Sequence, residues 1–341
     1  MTNRMFKKIG AYGLLALLTA VTTWSVVRAL PVRAAPDSPL LKEVADIRLP
    51  GPSSRFDYQS FNPVNGRLYI SHMDAGRVVV FDTRTNTVVA NLDGFPEVTG
   101  VLVVPSRGLV YASVTGNHQV VVFNEKTLKI VARVPGIEFP DGIAYAPTRN
   151  KIFVSDESGG GEMVIDAETN RKIATIDLGG QAGNTQYDPI SRHIFVAVQT
   201  RNQIVEIDPK TDSIVARYDL PGSDRPHGFT IDAPARQMFI SCEGNAKLLV
   251  FDMRTMRVTS IHTVGDGPDV LAFDPNLRRL YVAAESGNMT IFDAQGTGLR
   301  KLGEFYAPHA HTVCVVPATR RVYFPLQDID GKPVLRVMAE E

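Results

Sequence analysis

The chain has 341 residues, 44% of them hydrophobic and 21% charged, with 36 basic against 36 acidic side chains. That supports a full apolar core and excludes a disordered polar chain, and the lack of any basic run excludes nucleic-acid binding by phosphate neutralisation. Cys242 and Cys314, the only cysteines, are too few for a disulfide scaffold and too far apart for a zinc knuckle.

Arg4, Lys7 and Lys8 precede an apolar run from Ala11 to Val27, followed by Val32 and Ala34 at the −3 and −1 positions of a cleavage site. Residues 1–34 therefore read as an export signal, with a retained membrane anchor as the alternative. Thr19, Thr22, Thr23 and Ser25 interrupt the run and leave it short of the roughly 20 apolar residues that spanning needs. Removing the five basic residues of this segment leaves 31 basic against 36 acidic, a formal charge of about −5. The mature protein is expected in the periplasm or outside the cell, with no stable membrane span, and as a monomer.

From residue 35 to the end the chain repeats. The position that opens the turn before an aromatic recurs at Pro63, Pro105, Pro147, Pro189, Ala233, Pro275 and Pro317, with spacings of 42, 42, 42, 44, 42 and 42. Each of the first six copies continues to an apolar residue followed by Asp or Asn: Asp82, Asn124, Asp166, Asp208, Asp252 and Asp293. Side chains of this kind bond nearby backbone amides and suit a tight hairpin. Runs such as Val78-Val79-Val80-Phe81 lie around these markers, and no helical periodicity interrupts them. The expectation is an all-β fold in one domain, 35–341: a seven-bladed β-propeller with four antiparallel strands per blade. The last copy supplies one further strand, Pro333 to Val337, after its aromatic, and then the chain ends. Residues 42–49 resemble the fourth strand of other copies, so the N-terminal strand is expected to close the last blade and remove the open sheet edges.

The copies also resemble the YVTN (YncE-like) β-propeller repeat family in Tyr69-Ile-Ser-His72, Tyr111-Ala-Ser-Val114, Phe153-Val-Ser-Asp156 and Phe239-Ile-Ser-Cys242. The Asn that often ends the family's motif is absent from these copies. The resemblance implies the fold and leaves the function open, because the motif consists of packing and turn residues.

In such a blade the start of the first strand and the end of the second face the same channel mouth. Six residues before each turn marker lie Asp57, Thr99, Asp141, Gly183, His227, Asp269 and His311. Four residues after each aromatic lie Met73, Thr115, Glu157, Gln199, Glu243, Glu285 and Gln327, with His72 and Asp156 beside them. A two-residue insertion before Ala233 lengthens the loop carrying Arg225, and His309 falls just ahead of His311. The candidate ligand-binding residues are therefore Asp57, His72, Asp141, Glu157, Arg225, His227, Glu243, Asp269, Glu285, His309 and His311. Of these, His227, Glu243, Asp269, Glu285 and His311 mix imidazole and carboxylate in the way a divalent ion (Ca²⁺, Mg²⁺ or Zn²⁺) or an acid–base site requires. Arg55 and Arg225 suit an anionic group.

The expected function is binding of a small molecule, metal ion or protein partner at this mouth. One alternative is a metal-dependent lactonase or lyase of the gluconolactonase or streptogramin-lyase type. A second is a propeller subunit resembling that of quinoprotein amine dehydrogenases. No phosphate loop, nucleophile elbow or haem-attachment motif occurs in the sequence. The leader reading has a direct check: mass spectrometry of the exported protein should return Ala35 as its first residue, and an intact Met1 terminus would refute cleavage.

Overall fold

The computed structural model describes residues 40–296 and 298–340; the expected signal, 1–34, lies outside the described residues. Among the described residues, 28 strands form seven four-stranded antiparallel sheets, arranged as a seven-bladed propeller. Short 3₁₀ turns are the helical elements among them, and no helix is long and apolar enough to cross a membrane.

Sequence pattern and strand role agree within each blade. In blade 1 the second and third strands, Arg67–His72 and Arg77–Asp82, are buried on both faces and read as continuous apolar runs. The outer strand Thr87–Asp93 alternates, because only one of its faces meets a neighbouring blade. The Asp and Asn markers act as expected: Asn124 Oδ1 accepts from the amides of Lys126 and Thr127 at 3.0 and 2.9 Å, and Asp166 Oδ1 accepts from Glu168 and Thr169 at 2.9 and 2.8 Å.

The core consists of seven apolar clusters, one in each gap between neighbouring blades. On the face away from the polar mouth, polar clamps cross the same gaps. Arg236 meets the fully buried Asp188 at 2.6 Å, Arg278 meets Asp232, and Asn62 donates to Glu125 at 2.6 Å.

The ring closes as the sequence suggests, one residue earlier at each end than 42–49. Leu41–Arg48 pairs antiparallel with Lys332–Glu340, from Leu41 opposite Glu340 to Arg48 opposite Val334, as the outermost strand of blade 7. Arg336 fastens the pair by a two-point contact with Asp46, at 2.8 and 2.6 Å. The closing hairpin is longer than Pro333–Val337, since the N-terminal strand supplies backbone partners along its length. A chain lacking 41–48 would leave the outer edge of Lys332–Glu340 bare. It should melt roughly 10 °C lower or more and form oligomers on size-exclusion chromatography. An unchanged, monomeric melt would show that closure contributes little.

Candidate functional site

A repeated backbone device builds the mouth. In blades 2 to 6 the first strand begins at Val98, Pro140, Ala182, Pro226 and Pro268, and its register with the second strand jumps before three further residues have passed. The ring residues Thr99, Asp141, Gly183, His227 and Asp269 sit in these bulges, a geometry that re-aims a side chain at a sheet end. In blades 1 and 7 regular pairing starts only at Gln59 and Cys314, so Asp57 and His311 come just ahead of it.

Small residues and serines then draw the blades together. A Cβ at Gly100 or Gly228, each next to a ring residue, would collide with the carbonyl oxygen of Asp141 or Asp269 in the following blade. The motif serines bond those same carbonyls: Ser113 Oγ donates to Asp141 O at 2.7 Å, and Ser241 Oγ lies 3.0 Å from Asp269 O. In blades 2 and 5 the serine of the repeat thus ties the blade to the ring position of the next.

The result is a cavity of about 170 Å³, lined by Arg55, Asp57, Tyr58, Met73, Thr99, Phe139, Asp141, Glu157, His227, Glu243 and Asp269. His227 is its hub. Nδ1 lies 3.0 Å from Asp269 Oδ1 and 3.4 Å from Glu243 Oε1, while Nε2 lies 3.5 Å from Asp141 Oδ2. Asp269 faces two ways: its Oδ2 lies 3.9 Å from His311 Nε2, which is itself 3.7 Å from Asp57 Oδ1. Tyr58 Oη donates to Asp141 at 3.4 Å. At the rim, Arg55 pairs with Glu285 at 2.7 Å, Gln199 donates to Glu157 at 3.1 Å, and Arg225 donates to Gln199 at 3.1 Å.

Burial and charge push these groups apart. Burial raises the Asp141 carboxyl well above the usual carboxylate range, and His227 offsets only part of that. Asp269 occupies the same repeat position and is shifted the other way. Burial would raise it, but the hydrogen bond and charge of His227, with His311 and Arg55, hold it below the ordinary value. Burial also opposes charge on His227, yet Asp269, Glu243 and Asp141 outweigh it and raise the imidazole well above its usual value. His311 is raised in the same way, against its own burial, by Asp57 and Asp269. Burial raises Glu243 as well. A carboxyl pushed toward its neutral form and another held toward its anion, on either side of an imidazole drawn toward its cation, can donate, accept and hold charge within a few ångströms.

The structure brings Asp57, Asp141, Glu157, His227, Glu243, Asp269 and His311 together, with Arg225 at the rim. Three expectations need correction. His72 does not reach the cavity: it stacks on Phe56 at 4.0 Å, meets Ser54 at 3.0 Å, and burial lowers it to about 4. Its register explains this, since neighbouring residues on a strand point to opposite faces. His309 is an exposed turn residue with φ +56° and takes no part. Glu285 is engaged by Arg55 at the rim and stands outside both groups able to hold a metal among the described residues, Asp57–Asp269–His311 and His227–Glu243–Asp269. Asp156 serves the backbone, accepting from the amides of Glu138 and Phe139. Tyr58 and Phe139 line the cavity although sequence reasoning missed them; each directly adjoins the start of a first strand, and that adjacency was the available signal.

No protein-family model and no curated protein sequence matches the chain. Among solved structures, the fold matches a chain of Kuenenia stuttgartiensis hydrazine synthase with a TM-score of 0.71 and 16% identity, over 84% of this chain and 96% of that one. The likeness is one of fold.

One further residue stands out beside the mouth. Glu162 lies on the third strand of blade 3, where other blades place Val78, Val120, Ile204, Leu248 or Met289. It is fully buried, and neither carboxylate oxygen has a hydrogen-bond partner. Burial raises it well above the usual value, with only a partial offset from Thr185. A carboxyl with a raised folded-state value costs nothing while both states are protonated. The cost appears as pH rises past the unfolded value of about 4.5 and grows until the folded group ionises. Glu162→Gln should therefore gain stability over wild type as pH rises from 5 to 8, by up to about 1.4 kcal/mol per pH unit until the folded group ionises. Urea midpoints at the two pH values measure the gap; a constant gap would show an ordinary titration.

Proposed function

We propose that the protein is an exported binding propeller that takes a small polar solute of cationic or metal-bearing character into the mouth. The observation that carries this reading is the convergence of buried Asp57, Asp141, His227 and Asp269, from four different blades, around one small cavity, with buried His311 of a fifth blade behind Asp57 and Asp269. Burying so many ionisable groups costs stability unless each is matched, and ligand sites are where such mismatch is retained. The cavity volume suits a solute of a few heavy atoms rather than a nucleotide or a peptide. The charge layout of residues 1–34 supports a place in the periplasm or outside the cell, and the repeat motif supports kinship with the YVTN (YncE-like) propellers.

A second reading, a metal-assisted lactonase or lyase, is favoured by one observation: two imidazole–carboxylate groups share Asp269 at the mouth. It predicts turnover of lactone substrates that is lost on chelation.

The binding reading is tested by calorimetry with a panel of small amines, amino acids and hydroxy acids. Met73→Trp fills the cavity from its rim, and Asp141→Asn alters its floor; either should weaken a bound solute at least tenfold, about 1.4 kcal/mol. A solute that binds both variants like wild type sits elsewhere, and the reading fails.

A further inference from the structure

Two candidate donor groups share Asp269, and their geometry separates them. In the first, His227 Nδ1 stands 3.0 Å from Asp269 Oδ1, an ordinary hydrogen bond that a proton already fills. In the second, His311 Nε2 is 3.7 Å from Asp57 Oδ1 and 3.9 Å from Asp269 Oδ2, too long for hydrogen bonds. All three side chains are at least nine-tenths buried, and His311 Nε2 has no partner. A buried imidazole nitrogen left unsatisfied between two carboxylates needs a third party.

We propose that Asp57, Asp269 and His311 form a divalent-cation site for an ion of the Zn²⁺ or Mn²⁺ class. This deepens, and rests on, the binding reading of the mouth. A tetrahedral ion at about 2.0–2.1 Å spaces its donors about 3.4 Å apart; the two His311–carboxylate separations lie within a few tenths of an ångström of that spacing, and all three donors lie within 4.8 Å of one another. One imidazole with two carboxylates suits such ions better than Ca²⁺, which takes oxygen donors throughout. His227 is a positioning residue. By holding Asp269 Oδ1 it turns Oδ2 toward His311, the outer-shell role that carboxylate ligands require. Asp57 and Asp269 also line the cavity, which places the ion within reach of an entering solute. The same seam between blades 1 and 7 holds another unsatisfied buried acceptor, Gln59 Oε1, whose amide nitrogen reaches Thr312 Oγ1 and the Tyr323 carbonyl at 3.5 and 3.4 Å. Arg55 is the opposing charge nearby, and its salt bridge with Glu285 draws it to the rim.

The test is calorimetric titration of chelator-treated protein, residues 35–341, with ZnCl₂ or MnCl₂ alone, with Mn²⁺ electron paramagnetic resonance as the second readout. One ion per chain is expected. His311→Gln and Asp57→Asn should each weaken it at least 100-fold, and His227→Gln by 10- to 100-fold. Arg55→Gln should tighten it, and His193→Gln on the far face should leave it unchanged. Circular dichroism confirms folding; the isosteric Asp57→Asn carries the test if His311→Gln fails to fold. No binding by wild type overturns the proposal and makes water the bridging species. Binding hurt more by Glu243→Gln than by Asp57→Asn overturns it too, and moves the ion to the His227 group. Either result leaves the solute titrations with Met73→Trp to judge the binding reading on their own.

Discussion

Closure of the ring is the constraint on which the rest of the structure depends. Seven sheets can pack as wedges around an axis only if the last meets the first, and here the contact is sealed by Leu41–Arg48 pairing with Lys332–Glu340. The pairing is of high sequence separation and therefore entropically costly to form. Its return is more than an edge covered. Blades 1 and 7 carry Asp57 and His311, and those two side chains come within 4 Å only because the seam is shut.

Around that closed frame, a bulge, a glycine and a serine combine at the head of blades 2 and 5. The bulge aims one side chain inward, the glycine lets the next blade approach, and the serine hydroxyl holds that blade's carbonyl. These parts serve packing, yet they also set the spacing of the ring residues. Stability and site geometry therefore share the same atoms, and a change to the repeat motif at blades 2 or 5 would be felt at Asp141 or Asp269.

The electrostatics of the mouth follow from partner placement rather than residue type. Asp141 and Asp269 hold equivalent repeat positions with similar burial, but Asp269 has His227, His311 and Arg55 around it, whereas Asp141 has chiefly the far nitrogen of His227 and the Tyr58 hydroxyl. One is pushed toward its neutral form and the other toward its anion. Opposite shifts in paired carboxyls are the usual mark of a site with divided roles. The far-face clamps, such as Arg236 with Asp188, show the other use of buried charge, where each acid has its own guanidinium and joins two blades.

The blade count, the closing strand, the hairpin markers and the ring of polar residues were legible in the sequence. They are local, repeat every 42 residues or so, and depend on strand alternation and turn chemistry that a linear pattern carries. The fate of each candidate was decided in three dimensions. His72 and His309 sit one or two positions from true ring residues, but pleat direction and a left-handed turn send them elsewhere. Glu285 keeps its register and is taken by Arg55, a residue some 230 positions away in sequence. That His227 is satisfied while His311 is left with an open nitrogen follows from contacts among blades 1, 3, 5, 6 and 7. Spacing along the chain could say that acids and imidazoles would gather at one mouth. Only the angular placement of the blades around the axis could say which of them meet, because that is set by inter-blade packing and by the closing strand.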